Sequence, residues 1–235
     1  MLFKVSIQYI PMEAKIRRQQ AMVDTRRAMV LAAAKAVFTQ SGLERSSIRE
    51  IAKRAGYTPG AIYAYFPSKQ ELFAALLEES MHRVDGVVAQ AKPVKGRPHA
   101  LLQARAQAWF SFFATHSRDM ELTLFLLAGS GLQGMAPALS QRLRARLRQT
   151  LDPCVAALQT LGADPAQAHA EREALLAHGL GLLLVQSSAS LTAPETSAQA
   201  LFVQYLDRLA ERYDAASVSV SAEKTEPPPQ VDLFS

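Results

Sequence analysis

Residues 46–69 read SSIREIAKRAGYTPGAIYAYFPSK, and the placing of caps, glycines and apolar residues along them sets the architecture. Ser47 followed three residues later by Glu50 is a capping box, which opens a helix. Ile48, Ile51 and Ala52 form its inner face. Ala55 is small enough for close helix approach, and Gly56 supplies a left-handed turn that a side chain would resist. Thr58 is placed to cap a short helix from about Pro59 to Phe66, with Ile62 and Phe66 inward. Pro67 breaks the chain. Ser68, with Glu71 three residues on, caps a further helix that carries Leu72, Phe73, Leu76, Leu77 and Met81 inward towards Ala91. The unit is helix, tight turn, helix. It leaves Thr58, Pro59, Gly60, Ala61, Tyr63, Ala64 and Tyr65 outward, a surface suited to a major groove.

Upstream, the periodicity predicts a helix over Thr25–Gln40, with Ala28, Leu31, Ala32, Val37 and Phe38 as its stripe and Gly42 as its stop. Downstream, KPVKGRP (Lys92–Pro98) is a breaker and a domain joint. Helices are expected over His99–Thr115, Asp119–Ala128, Pro137–Leu161 with a kink at Pro153, Pro165–Ser190, and Pro194–Tyr213. No segment shows sustained strand alternation. The expectation is an all-α protein of about nine helices. An N-terminal three-helix helix-turn-helix unit precedes a C-terminal helical body. The boundaries are residues 1–23 as a basic, flexible arm, 24–70 as the helix-turn-helix unit, 71–213 as the helical body with its connecting helix at 68–91, and 214–235 as a disordered tail.

The charge is unevenly placed. Residues 1–70 hold 12 Lys/Arg and 4 Asp/Glu, whereas residues 81–235 hold 14 of each. A basic terminal segment on a neutral body points to a polyanion partner, or to a merely solvated basic surface. Lys15, Arg17, Arg18, Arg26 and Arg27 crowd the region before and into the first helix, as an arm that tracks DNA or as a basic leader. The single cysteine, Cys154, allows no intrachain disulfide and fits a reducing cytosol. Neither a signal peptide nor a stretch long enough to span a bilayer is read, so the location expected is cytoplasmic with no membrane partner. No His/Cys cluster has metal-ligand spacing, no glycine-rich phosphate loop follows a strand, and no nucleophile–base pair is recognisable. The chain is therefore read as a non-enzyme without cofactor or metal.

Over about Thr25–Leu77 the sequence resembles the TetR family of bacterial regulators. The resemblance is carried by Phe38 before Gly42, Ser47–Ile48–Arg49–Glu50–Ile51–Ala52, Ala55–Gly56, Thr58, Gly60, Tyr63, Tyr65–Phe66, Ser68–Lys69 and Leu72–Phe73. It implies that Ser47 and Thr58 touch phosphate, that Pro59, Gly60 and Ala61 approach bases, and that Tyr63, Tyr65 and Lys69 hold backbone phosphates. The sequence departs from the family's usual residues at Pro59, Ala61 and Ala64. Base readout then leans on Ala61 against a thymine methyl, on Arg49 or Arg45, and on DNA shape.

The resemblance further implies that 24–70 is a DNA-binding domain and 71–213 a C-terminal helical ligand-binding (regulatory) and dimerisation domain, whose last two long helices pair with their copies across a two-fold axis. Leu180 and Leu184 on one, with Phe202, Tyr205 and Leu209 on the other, are the expected interface, and Gly179 and Gly181 would allow close approach. An effector pocket is expected among the middle helices, lined from Trp109, Phe112, Phe113, His116, Phe125, Met135 and His178, with Cys154 and Gln186 as further candidates. Each of these is also readable as plain core. The Arg142, Arg144, Arg146, Arg148 alternation reads as solvated surface. The function expected is that of a ligand-responsive regulator, most often a repressor, that binds a palindromic operator in double-stranded DNA as a homodimer and is released by a small-molecule effector. The alternative is an architectural or division-related DNA-binding protein of the same fold without ligand control.

Overall fold

The computed structural model describes residues 12–93, 99–128, 135–187 and 197–223. Among them are ten helices and no strand. They are α1 (Met12–Ser41), α2 (Ile48–Ala55), α3 (Pro59–Tyr63), α4 (Lys69–Gln90), α5 (Ala100–Thr115), α6 (Ser117–Leu127), α7 (Pro137–Gln149), α8 (Asp152–Thr160), α9 (Pro165–Ser187) and α10 (Ala198–Glu223). The chain divides into two compact units, and the division falls inside α4 between Leu76 and Leu77.

In the first unit α1 buries Val30, Ala33, Ala34, Val37 and Phe38. Of the expected stripe only Val37 and Phe38 are inward; Ala28 and Ala32 are exposed. An alanine-rich helix has a weak apolar phase, and its packing against α2, whose Ile51 and Ala52 are fully buried, chooses the face. The helix also begins at Met12 rather than Thr25, so the described part of the expected flexible arm, 12–23, is helical. Residues 12–29 hold no glycine or proline. Once the packed half has formed the helical nucleus, each added residue costs only propagation. Residues 1–11 of that arm, 94–98 of the joint and 224–235 of the tail lie outside the described residues.

In the second unit the core is aromatic. Trp109, Phe110, Phe113 and Phe202 are buried; Phe110 stacks on Phe202 with centroids 4.4 Å apart, and Trp109 meets Phe113 edge-on at 4.9 Å. The Trp109 indole N–H donates to Thr150 Oγ1 at 2.8 Å, which satisfies its one polar atom. Thr150 lies where the expected helix 137–161 is interrupted. Pro153 lacks the N–H that would continue the α7 ladder, and it starts α8 instead of kinking one long helix. At the far end α10 continues to Glu223 instead of stopping at Tyr213.

The four alternating arginines of α7 are not a bare solvated face. Arg142 pairs with Glu78 at 3.0 Å, Arg146 pairs with Asp85, Arg148 pairs with Glu173 at 2.9 Å, and Arg144 donates to the Leu126 carbonyl at 3.4 Å. Alternate residues on a helix point to opposite sides, so successive pairs reach α4, α6 and α9. The second part of α4 is also tied to α6 by Arg83, which pairs with the buried Asp119.

Cys154 is fully buried, and burial pushes its thiol up to about 12. Since the thiolate is the reactive form, a thiol reagent at neutral pH should leave the native protein unlabelled and label it fully in denaturant. Fast labelling of the native state would show that α8 opens readily.

Candidate DNA-contacting surface of the first unit

The local geometry of α2 and α3 follows the sequence closely. The Ser47 hydroxyl accepts from the Glu50 N–H at 3.2 Å, and Gly56 turns the chain at φ 74°. Thr58 Oγ1 accepts from the Ala61 N–H at 3.3 Å. A hydroxyl that accepts a backbone N–H keeps its own proton to donate, so both caps retain a donor for a phosphate oxygen. α3 is regular only to Tyr63, and a turn through Ala64 and Tyr65 brings Phe66 inward.

Ser47, Arg49, Thr58, Pro59, Gly60 and Tyr63 are exposed, while Ala61 and Tyr65 are half-buried. These expected contact residues are therefore all at least partly accessible on the first unit. Gly60 lies in ordinary helical backbone, and a Cβ there would meet nothing within 4 Å. No packing contact within the subunit calls for a glycine at this position.

Lys69, expected to hold a phosphate, is engaged within the subunit. Its ammonium donates to the carbonyls of Leu43, Glu44 and Ser46 at 2.8, 3.2 and 3.0 Å. An ammonium has three protons, so all three are spent tying the start of α4 to the α1–α2 loop. Burial lowers its pKa from the ordinary lysine value, partly offset by Glu44. Lys69→Met should lower the stability of the first unit by about 1–3 kcal/mol, the range for charge-assisted bonds. Chemical denaturation checks this, and an unchanged midpoint paired with weaker DNA binding would restore the phosphate role.

Of the residues expected to line an effector pocket, Trp109, Phe113, Phe112 and His116 touch in a row along the end of α5. Trp109 and Phe112 are buried. His116 is exposed at the α5–α6 joint, with its ring stacked on Phe112 and Nδ1 2.8 Å from the Phe112 carbonyl. Phe125 and Met135 are half-buried. His178 stacks on Tyr205 at 4.3 Å, and burial lowers its pKa. Only Phe113 of that set lines the α5–α6–α9 cleft, of about 430 Å³, where it is joined by Met120, Glu121, Leu124, Leu183 and Gln186. Among the expected interface residues, Phe202 and Leu209 are fully buried within the subunit, whereas Leu184 is 51% exposed. Leu180 and Tyr205 are half-buried. The register of α10 puts Phe202, Leu206, Leu209 and Ala210 on one inward stripe. The sequence reading missed Glu121 and the Met120–Leu124 pair of the cleft; only the i, i+4 spacing of the latter hinted at a shared face. Among the described residues no group of His, Cys, Asp or Glu could hold a metal ion, and no helix is long and apolar enough to cross a membrane.

Comparison with known proteins bears on the same segment. Residues 30–76 match the family described as bacterial regulatory proteins, tetR family. The chain is 33% identical over 99 residues to the HTH-type transcriptional activator FasR of Mycolicibacterium smegmatis, covering 42% of this chain and 45% of that protein. It is 32% identical over 105 residues to the HTH-type transcriptional repressor BepR of Brucella suis, covering 44% and 50%. The chain thus spans about half the length of these curated relatives, which are named as regulators and not as enzymes. The likeness of fold reaches further. A transcriptional regulator from Rhodococcus sp. Rha1 superposes with a TM-score of 0.60 at 27% identity, covering 77% of this chain and 95% of that one. The helix-turn-helix built on these caps is thus the part of the chain, residues 30–76, that matches the tetR family of bacterial regulatory proteins.

Proposed function

We propose that the protein is a transcriptional regulator that binds double-stranded DNA as a homodimer, each copy placing α3 in the major groove, and that a small-molecule effector releases it. The observation that carries the reading is Gly60. A helical glycine that the subunit does not need, on an exposed helix with Thr58 and Tyr63 beside it, suits close approach to a base edge.

The pairing surface proposed is one side of α9. At about 100° per residue, Ala170, Ala174, Ala177, Gly181 and Leu184 fall along one side, and all are exposed. A two-fold dimer along it presents two copies of α3 to a two-fold site. The effector site proposed is the α5–α6–α9 cleft. Its volume falls in the usual range for a small ligand, and Glu121 is its single charged lining residue. Trp109, the only tryptophan, touches Phe113 of the cleft wall and gives a fluorescence readout for an effector screen. The α4 helix, continuous through both units, is the proposed route from effector to α3.

Footprinting on DNA flanking the protein's own gene tests the reading. A short palindromic footprint is expected, with repression as polymerase is occluded. Protection without a preferred site would overturn it in favour of an architectural role.

A further inference from the structure

The first half of α1 has no packing role that accounts for its length. From Met12 to Met29 every residue except the half-buried Ala14 is exposed, and burial begins only at Val30. Two contacts fix where α3 crosses this helix. The Arg27 guanidinium lies 5.0 Å above the Phe66 ring, just past the end of α3. The Tyr57 hydroxyl reaches Met29 Sδ at 3.9 Å, just before α3 begins. Residues 12–26 therefore extend past the level of α3 on the side away from the Val30–Val37 core. At about 1.5 Å per residue they reach roughly 22 Å.

The charges on this extension are sorted. Residues 12–29 carry five Lys/Arg and two Asp/Glu. At about 100° per residue, Lys15, Arg18 and Arg26 share the side of Met22 and Met29, the side that faces Tyr57. Glu13 and Asp24 fall on the opposite side. Arg17 is paired with Glu13; among the described residues Lys15, Arg18 and Arg26 have no ion-pair partner.

We propose that this helical extension is a second DNA-contacting element, whose Lys15, Arg18 and Arg26 grip backbone phosphates flanking the base pairs read by α3. The proposal rests on α3 being the groove helix. The extension starts beside α3, and a strand offers a phosphate about every 3.4 Å, so a duplex that lies on α3 and runs along the extension would bring some six phosphates within its reach. The charge is complementary and the surface is continuous with that of α3. The contacts are sequence-independent, adding affinity and salt dependence without adding base readout.

The test uses the full chain and duplexes selected by it from a random 30-base-pair library. The salt dependence of binding is measured for the wild type and for the triple variant Lys15→Gln, Arg18→Gln, Arg26→Gln. All three side chains are exposed, so the thermal melt should be unchanged. Each lost phosphate contact lowers the log–log slope by about 0.9, so a fall of about 2–3 is expected. The same duplexes should still be preferred, with flanking protection lost from the footprint. A slope lowered by less than about 1 overturns the proposal. So does a triple variant that keeps its DNA slope but no longer sediments with phosphatidylserine-containing vesicles that the wild type binds, which would make the extension a membrane-surface helix. If the wild type selects no duplex at all, the α3 reading fails first and takes this inference with it.

Discussion

Gly60→Val should weaken operator binding roughly ten- to hundredfold, about 1–3 kcal/mol, while the first unit melts where the wild type does. The two halves of this expectation come from different observations. A Cβ at Gly60 has open space in the subunit and the backbone there is ordinary helix, so the fold does not resist a side chain. Glycine inside a helix is in fact about 1 kcal/mol worse than alanine, so Gly60→Ala should be neutral or slightly stabilising. The cost falls on the partner. If the backbone at Gly60 comes up to base edges, the two valine methyls occupy the space the bases need. Isothermal titration against the selected duplex, alongside a thermal melt, separates the halves. Unchanged affinity would place the start of α3 away from the bases.

The second large effect separates two glycines only two residues apart. Gly181→Arg should convert the proposed dimer to monomer at micromolar concentration and leave the subunit folded. Gly179→Ala should leave pairing intact and destabilise the second unit by about 1–3 kcal/mol, the usual cost of overpacking. Two residues along a helix turn about 200°, so the pair faces opposite ways. A Cβ at Gly179 would sit 2.8 Å from the Trp109 ring, with Phe202 at 3.4 Å. A Cβ at Gly181 would meet nothing within 4 Å. In a two-fold interface each substitution appears twice, close to its own copy. Two unpaired guanidinium groups buried there would cost several kcal/mol. Sedimentation velocity reads the first variant and chemical denaturation the second. A Gly181→Arg protein that stays dimeric would move the interface off this side of α9.

The helix-turn-helix was legible because its determinants are local. Ser47, Thr58 and Ser68 cap helices through bonds to residues three positions on, and Gly56 turns because it lacks a side chain. Such interactions are written in sequence spacing and survive any tertiary arrangement. The family resemblance lay over these same residues, and the match over residues 30–76 is to the same family. Less legible was the phase of α1, where alanines fit either side. The split of 137–161 into α7 and α8 was half-visible at Pro153, but a proline allows a kink or a new start, and the Thr150–Trp109 bond lies at the start chosen here.

Taken alone, the sequence determined that the chain is helical, where α2 and α3 begin and end, and which small and hydroxyl residues α3 offers outward. The tertiary structure decided what each long-range side chain does. It set the Lys69 ammonium on three carbonyls of the α1–α2 loop, put Phe202 and Leu209 in the core, and gave Gly179 to Trp109 while leaving Gly181 open. The physical reason is range. A cap or a turn is settled within four residues of chain, whereas the side of a helix that meets a partner depends on elements far away in the sequence, and a rotation of two residues, about 200°, exchanges the inside for the outside.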